Sequence, residues 1–408
     1  MITDPDNSLS PNPTAESLPD EIAQALAGGL GDCNLRELLG LMLSSLGHAE
    51  RRKYLAHTPA DKGNGAYPRS LKVGSIPLDI AVPRTRNGAF RPSILPPPYQ
   101  RDYPEETQTL LLALLASSRS MNAAKAALRR LGLSGSEQDI DSVAHEFIEE
   151  LQLRNSRSLD PDLLALFLDA KYVEVKEADR LRPCAIYMVV GLGRDGKKRL
   201  LASIVRFGRE NLEDWKLVLR GLLERGLRRV LIVVHDDFSG LLPITKSLFP
   251  QADLQLCIVH MQRNAKSHLS KTDAPEFTKR IRAIKTAWNQ EVANAQFEDL
   301  CQRFQNPYSS FIAEIRKKRD HYLAFLNYPD AIRRSLSTTN VVEAVNGQLE
   351  IMRRNSGGYF HSEETLQLKL GMAISQLESG TWRRASSSVQ NALDPFNLIF
   401  QKRFESES

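Results

Sequence analysis

Cysteine is scarce in this chain: four in 408 residues, at Cys33, Cys184, Cys257 and Cys301, with no paired spacing. That excludes a disulfide scaffold and points to a reducing, cytoplasmic setting. Neither a secretory leader nor a membrane role is expected, since no apolar run reaches membrane-spanning length. A structural zinc site needs four ligands, and Cys257-x-x-His260 has no second close pair to complete one. Basic residues are nearly missing from the front end: residues 1–50 hold Arg36 against eight acids. Because the net charge is +5, the other 358 residues carry an excess of twelve positive charges. A basic body of that kind suits a polyanion partner, although ordinary solubility charge gives the same number.

A chain of this length divides into two or three domains. Residues 1–18, with Pro5, Pro11 and Pro13 among polar residues, lack apolar periodicity and read as disordered. Helical spacing over 19–58 gives a region suited either to dimerisation or to packing within the chain. Residues 67–101 are short alternating runs carrying Arg69, Lys72, Arg84, Arg86, Arg91 and Arg101 against one acid, Asp79, a basic strand-and-loop arm ending in Pro96-Pro97-Pro98. Helical spacing returns over 102–158, where Ser120 to Gly132 carries Arg129 and Arg130. Ala-rich helices of this kind also occur in plain bundles.

From Leu163 the period becomes that of strands: Leu163–Leu168, Cys184–Val190 and Leu200–Phe207, a helix from Glu213 to Arg225, a strand Val230–Val234, a helix from about Pro243 to Leu248, and a strand Leu254–Val259. Gly193-Arg-Asp-Gly196 reads as a hairpin turn. This order predicts an α/β fold with a ribonuclease-H-like mixed sheet over 159–400. About 262–335 forms an all-helical insertion, and 401–408 a tail. Arg316-Lys-Lys-Arg319 makes one face of the insertion basic, either a solvated face or a phosphate contact.

Two apolar strands run into aspartate, Leu163-Leu-Ala-Leu-Phe-Leu-Asp169 and Val230-Leu-Ile-Val-Val-His-Asp236. A third carboxylate, Glu343, lies in Leu336-Ser-Thr-Thr-Asn-Val-Val-Glu-Ala-Val-Asn346. Hard oxygen ligands of this type suit Mg²⁺ or Mn²⁺ in phosphoryl transfer. Each also has a plainer reading: Asp236 as a turn or cap residue ahead of Gly240, and Asn340-x-x-Glu343 as a capping box. His260, a lone histidine after an apolar strand, reads as a satisfied structural side chain, and Trp215 reads as core. Arg263, Asn264, Arg333, Arg334, Arg353, Arg354 and Lys369 are candidate phosphate contacts.

These words, with Asp236-x-x-x-Gly240, Cys257-x-x-His260 and Thr338-Thr-Asn-x-x-Glu343, occur in an order that resembles the Mutator-type transposases of bacterial insertion sequences, over roughly residues 67–400. The resemblance implies a metal triad of Asp169, Asp236 and Glu343, with His260 near the site beside the catalytic residues and an aromatic at Trp215 that supports an unstacked base. It also implies a helix-turn-helix region within 102–158, DNA contacts from Arg84, Arg86, Arg129, Arg130, Arg263, Asn264, Arg353 and Arg354, and terminal inverted repeats and target DNA as partners of a homodimer. Its pattern has glycine after the second aspartate. This chain has Asp237 there, which makes either residue of the pair a candidate ligand. The family's aspartate precedes a glycine by four residues, however, and Gly240 stands four after Asp236, so spacing favours Asp236. A transposase-derived DNA-binding protein without catalysis, and a stand-alone nuclease on the same fold, are the alternative readings.

Overall fold

The computed structural model describes residues 35–73, 76–93, 95, 114–130 and 137–405. The expected disordered stretch 1–18, the Pro96–Pro98 segment and the 132–136 turn lie outside the described residues. The chain divides into two compact units, one of residues 1–115 with 121–143 and one of 116–120 with 144–408.

In the first unit, α1 (Leu35–His57) packs on an antiparallel hairpin of β1 (Gly63–Val73) and β2 (Ile76–Thr85). Leu71, Leu78, Ile80 and Val82 make its core. Gly40 is required where α1 meets β2, since a Cβ there would stand 2.7 Å from the Asp79 carbonyl oxygen. Ser44 Oγ accepts from the Ala81 amide at 3.0 Å, and the Glu50 carboxylate accepts from both the amide and hydroxyl of Ser93 at 2.6 Å. Thus α1 has an intramolecular partner, while Leu41, Met42 and Leu46 stay exposed. Two further helices follow, α2 (Met121–Arg130) and α3 (Glu137–Ser156), joined by a Lys125–Asp141 ion pair of 2.6 Å.

The second unit begins within α3. It is a five-stranded mixed sheet in the order β5-β4-β3-β6-β7, from β3 (Asp162–Glu177), β4 (Arg180–Gly193), β5 (Lys198–Phe207), β6 (Arg229–His235) and β7 (Asp253–Leu256). Strands β3, β4 and β5 are antiparallel, and β6 and β7 run parallel to β3. The hairpin turn at 193–196 forms as read, with Gly196 at φ 76°.

Both faces of the sheet are covered, which is why its inner strands read as unbroken apolar runs. Leu166, Leu168, Tyr187, Val189 and Val233 pack against Trp215 and Leu219 of α4 (Leu212–Glu224) and Leu241 of α5 (Leu241–Leu248). The opposite set, including Phe167, Ile186, Met188, Ile232 and Val234, meets the remaining helices. These are the insertion helices α6 (Ile258–His268), α7 (Asp273–Lys285), α8 (Gln290–Gln305), α9 (Ser309–Lys317) and α10 (Arg319–Leu323), then α11 (Asp330–Leu336), α12 (Asn340–Asn355), α13 (Glu363–Ser379) and α14 (Ser387–Phe404).

Three boundaries that bear on the site differ from the sequence reading. The strand read as Leu254–Val259 stops at Leu256, and Cys257 becomes the N-cap of α6, so His260 sits in a helical first turn. The insertion accordingly starts at Ile258 rather than 262. Strand β3 does not close at Asp169: it continues eight residues to Glu177, because β4 pairs with it along its whole length.

Helix α3 from Ala144 belongs to the sheet's unit. Asn155 and Ser203 exchange side-chain-to-backbone bonds of 2.8 Å, Arg154 pairs with Glu378, and Arg225 donates to the carbonyls of Arg154, Arg157 and Leu201. A Cβ on Gly371 of α13 would stand 2.7 Å from the Phe147 carbonyl oxygen. Because backbone cannot yield as a side-chain tip can, Gly371→Val should destabilise this unit by about 1–3 kcal/mol. A lower denaturant midpoint than wild type is the expected result; an unchanged one rejects the close approach.

Glu350 of α12 gathers Arg353 at 2.7 and 2.9 Å, Arg354 at 3.2 Å and Lys171 of β3 at 3.7 Å. These cations, Arg353 foremost, hold its carboxyl down to about 2. A depressed acid contributes stability above its unfolded value and loses it as pH falls through the folded one. Wild type should therefore lose stability between about pH 4.5 and pH 2 more steeply than Glu350→Gln, read as urea midpoints across that window.

Candidate active site

Register brings the two aspartates together. Strands β3 and β6 pair in parallel with Phe167 opposite Val234, so Asp169 and Asp236 each stand two residues beyond the last matched pair. Side chains alternate along a strand, so Asp169 shares the face of Phe167; Asp236 is the first residue past β6, and its charge acts on Asp169. Helices α6 and α12 approach that face, carrying His260 and Glu343.

Asp169 is buried, with 4% of its surface exposed. Asn346 Nδ2 donates to its Oδ2 at 2.9 Å, and His260 Nε2 lies 3.9 Å from its Oδ1. Burial is the main cause that pushes its carboxyl up to about 7; Asp236 and Glu343 add to the rise, while His260 and Asn346 oppose it. Burial also raises Asp236. His260 is lifted to about 9: burial works against its charge, but contact with Cys257 and the charges of Asp169 and Asp236 outweigh it. Arg263, one turn along α6, places its guanidinium 2.6 Å from Glu343 Oε1 and 3.4 Å from His260 Nε2. The Glu343 contact is an ion pair without hydrogen-bond alignment.

Asp237 is directed elsewhere. Its oxygens accept from Lys318 Nζ at 2.7 and 2.9 Å and from Tyr322 Oη at 3.4 Å. The capping-box reading of Glu343 fails as well: Thr339 is the N-cap of α12 with no side-chain cap bond, and Glu343 instead faces Arg263.

The Cys-x-x-His and Thr-Thr-Asn words form one knot. The Cys257 amide donates to the His235 carbonyl at 2.7 Å, and its Sγ accepts from the Thr339 amide at 3.4 Å and hydroxyl at 3.6 Å. Ile258 N donates to Ser337 O at 3.0 Å. The end of β6 and the starts of α6 and α12 are thereby tied together, next to Asp236 and one turn before Glu343.

Glu210 was missed by sequence reasoning. It lies between β5 and α4 and feels the charges of Asp236 and His260. Trp215 Nε1 donates to its Oε1 at 2.6 Å, and its amide donates to Tyr172 Oη at 3.1 Å. Trp215 itself is fully buried edge-on against Tyr187, so its core reading holds. Asn346 was inside the recognised word but unassigned; its spacing of three from Glu343 on a helix was the signal available.

The other predicted contacts scatter. Asn264 is exposed on α6 beside Ser267. Arg353 and Arg354 are engaged by Glu350. Arg333 bonds to the carbonyls of Leu326 and Tyr328, and Lys369 is buried, donating to the carbonyls of Ala116 and Ser118, so both serve the fold. Arg84 and Arg86 are exposed in the first unit, and the side chains of Arg129 and Arg130 lie outside the described residues.

Among the described residues, no three His, Cys, Asp or Glu side chains form a group able to hold a metal ion as they stand, and no helix is long and apolar enough to cross a membrane. Positive charge at the site comes instead from His260 and Arg263. The donor chemistry nonetheless suits a hard cation. Glu343 Oε1 and Asn346 Oδ1 are buried without hydrogen-bond partners, and neighbouring carboxylates forced together in low dielectric need a compensating charge.

Comparisons with known proteins identify the family. A family model described as "Transposase, Mutator family" matches residues 22–385. A transposase for insertion sequence element ISRM3 from Rhizobium meliloti (strain 1021) is 27% identical over 85% of this chain and 86% of its own length. A transposase for insertion sequence element IS905 from Lactococcus lactis subsp. lactis (strain IL1403) is 26% identical over 81% and 86%. Among solved structures, the Drosophila P element transposase strand transfer complex aligns at 14% identity over 74% of this chain and 81% of that one, with a TM-score of 0.27 that carries no weight for the fold. With nearly the whole sheet unit and its three carboxylates inside the matched span, this chain belongs to the Mutator family of transposases.

Proposed function

We propose that the chain binds the terminal inverted repeats of its own insertion sequence, cleaves DNA at the element ends and joins the freed 3′ hydroxyls to target DNA. On this reading the sheet unit is a ribonuclease-H-like catalytic domain and the protein works as a homodimer, since two ends must be brought together. The observation that carries it is the convergence of three carboxylates: Asp169 and Asp236 follow the last matched pair of β3 and β6, and Asp236 and Glu343, the latter from α12, both act on the charge of Asp169.

Asp169, Asp236 and Glu343 would hold Mg²⁺ or Mn²⁺, which when bound supplies Lewis-acid polarisation of the scissile phosphate and a more acidic nucleophile. The chain's own groups do the rest. Asn346 fixes one oxygen of Asp169, leaving the other toward His260. His260 and Arg263 present positive charge to an incoming phosphodiester. The knot at Cys257 and Thr339 fixes the helices that carry these groups, so few side chains need to reorganise as DNA arrives.

Asp169→Asn, Asp236→Asn and Glu343→Gln should each lower cleavage and strand transfer by about a hundredfold to a thousandfold, the scale of removing one group that stabilises developing charge. Binding of a terminal-repeat duplex should stay nearly unchanged. Asp237→Asn should retain most activity, because that carboxylate is engaged by Lys318. Undiminished strand transfer in any of the three amide variants rejects the triad, and loss in Asp237→Asn with activity kept in Asp236→Asn moves the second ligand to Asp237.

A further inference from the structure

The insertion's positive charge is not where the Arg316–Arg319 run suggested. Arg316 pairs with Glu298, Lys318 with Asp237 and Glu314, and Arg319 with Asp320. Of that run only Lys317 has no ion pair among the described residues, and a cluster of such cations lies instead on the α6–α7 hairpin. Lys266, Lys271, Lys279 and Arg282 line a cleft of about 510 Å³ whose walls carry no acid. All four are exposed, and none has an ion-pair partner among the described residues. Helix periodicity places Lys266 one turn beyond Arg263, on the stripe leading from Glu343 into the cleft. At the far end of α7, in the linker to α8, Trp288 is 75% exposed, against 0% for Trp215 and 4% for Trp382. A tryptophan so exposed at the end of a basic helix offers a surface on which a base can stack.

We propose that this hairpin is a second DNA contact, gripping the phosphate backbone as it leaves the catalytic carboxylates, with Trp288 covering an unstacked base. The choice of DNA as the polyanion rests on the function proposed above. The cleft is a local charge excess rather than part of a general one. The adjacent faces of the same insertion are neutralised pair by pair, as in Arg280 with Glu276 and Asp299, and Arg303 with Glu276.

The test uses the full chain and random-sequence 20-nucleotide DNA, single-stranded and duplex, with affinity measured across a salt series. Lys266→Gln, Lys279→Gln and Arg282→Gln combined should flatten the slope of log affinity against log salt for the duplex by about 2–3, near 0.9 per lost phosphate contact. The matched control, Arg280→Gln, Arg303→Gln and Arg316→Gln, removes the same formal charge from paired residues and should flatten it by less than about 1. Equal flattening in both means that net charge alone matters and overturns the proposal. In wild type, saturating single-stranded DNA should also shield the one exposed tryptophan from acrylamide, and Trp288→Phe should abolish the shielded signal. Unchanged quenching overturns the stacking contact. Both readouts are of binding, so inactive amide variants or an absence of strand transfer would bear on the catalytic reading and not on the cleft.

Discussion

The second unit is organised around the cost of gathering carboxylates on one buried sheet face. Asp169 is nine-tenths or more shielded, and Asp236 and Glu343 repel it further, so in isolation its charge would be strongly disfavoured. The protein meets that cost with directed partners rather than with solvent: an amide from Asn346, an imidazole from His260, and the Arg263 guanidinium on Glu343. Each partner comes from a helix that also packs on the sheet. Their placement therefore depends on the core beneath, and the sheet's unbroken apolar strands serve the site as much as the fold.

That dependence explains why the Cys257 knot is more than packing. Cys257 is buried and caps α6, and its sulfur accepts from the residue that caps α12. Burial raises its thiol, but contact with His260 outweighs this and leaves it lower than usual. One side chain therefore sets the origin of both helices that bring charge to the carboxylates. A displacement of either helix by a fraction of an ångström would separate His260 from Asp169 or Arg263 from Glu343. Fixed partners of this kind are what electrostatic preorganisation requires.

Much of this was legible in the chain and some was not, for identifiable reasons. Strand periodicity marked all five strands and the turn at Gly193–Gly196, because both faces of the sheet are buried and the runs are apolar without interruption. Order along the chain also exposed Asp169, Asp236 and Glu343. Periodicity could not show that β3 runs on past Asp169, since its far half is held by pairing with β4, a non-local constraint. Nor could alternation alone separate Asp236 from Asp237, although the spacing to Gly240 favoured Asp236. The lysine that engages Asp237 lies 81 residues away, a partner that no local pattern reveals. Glu210 was invisible because an isolated acid in a loop has no pattern. Only the buried Trp215 indole that holds it makes it a neighbour of Asp236.

Charge was the property most poorly legible from sequence, and the reason is physical. A run such as Arg316–Arg319 is conspicuous in one dimension, yet on a helix its members spread over different faces, each next to whatever acid the fold supplies. Three of its four cations are paired in this way. Lys266, Lys279 and Arg282 are separated in the chain and form no run, but two antiparallel helices bring them to one cleft. What a polyanion senses is the charge left over after internal pairing, summed over a distance near the screening length of about 8–10 Å. By that measure the α6–α7 hairpin, more than the basic run, is the part of the insertion whose charge is left over for a polyanion.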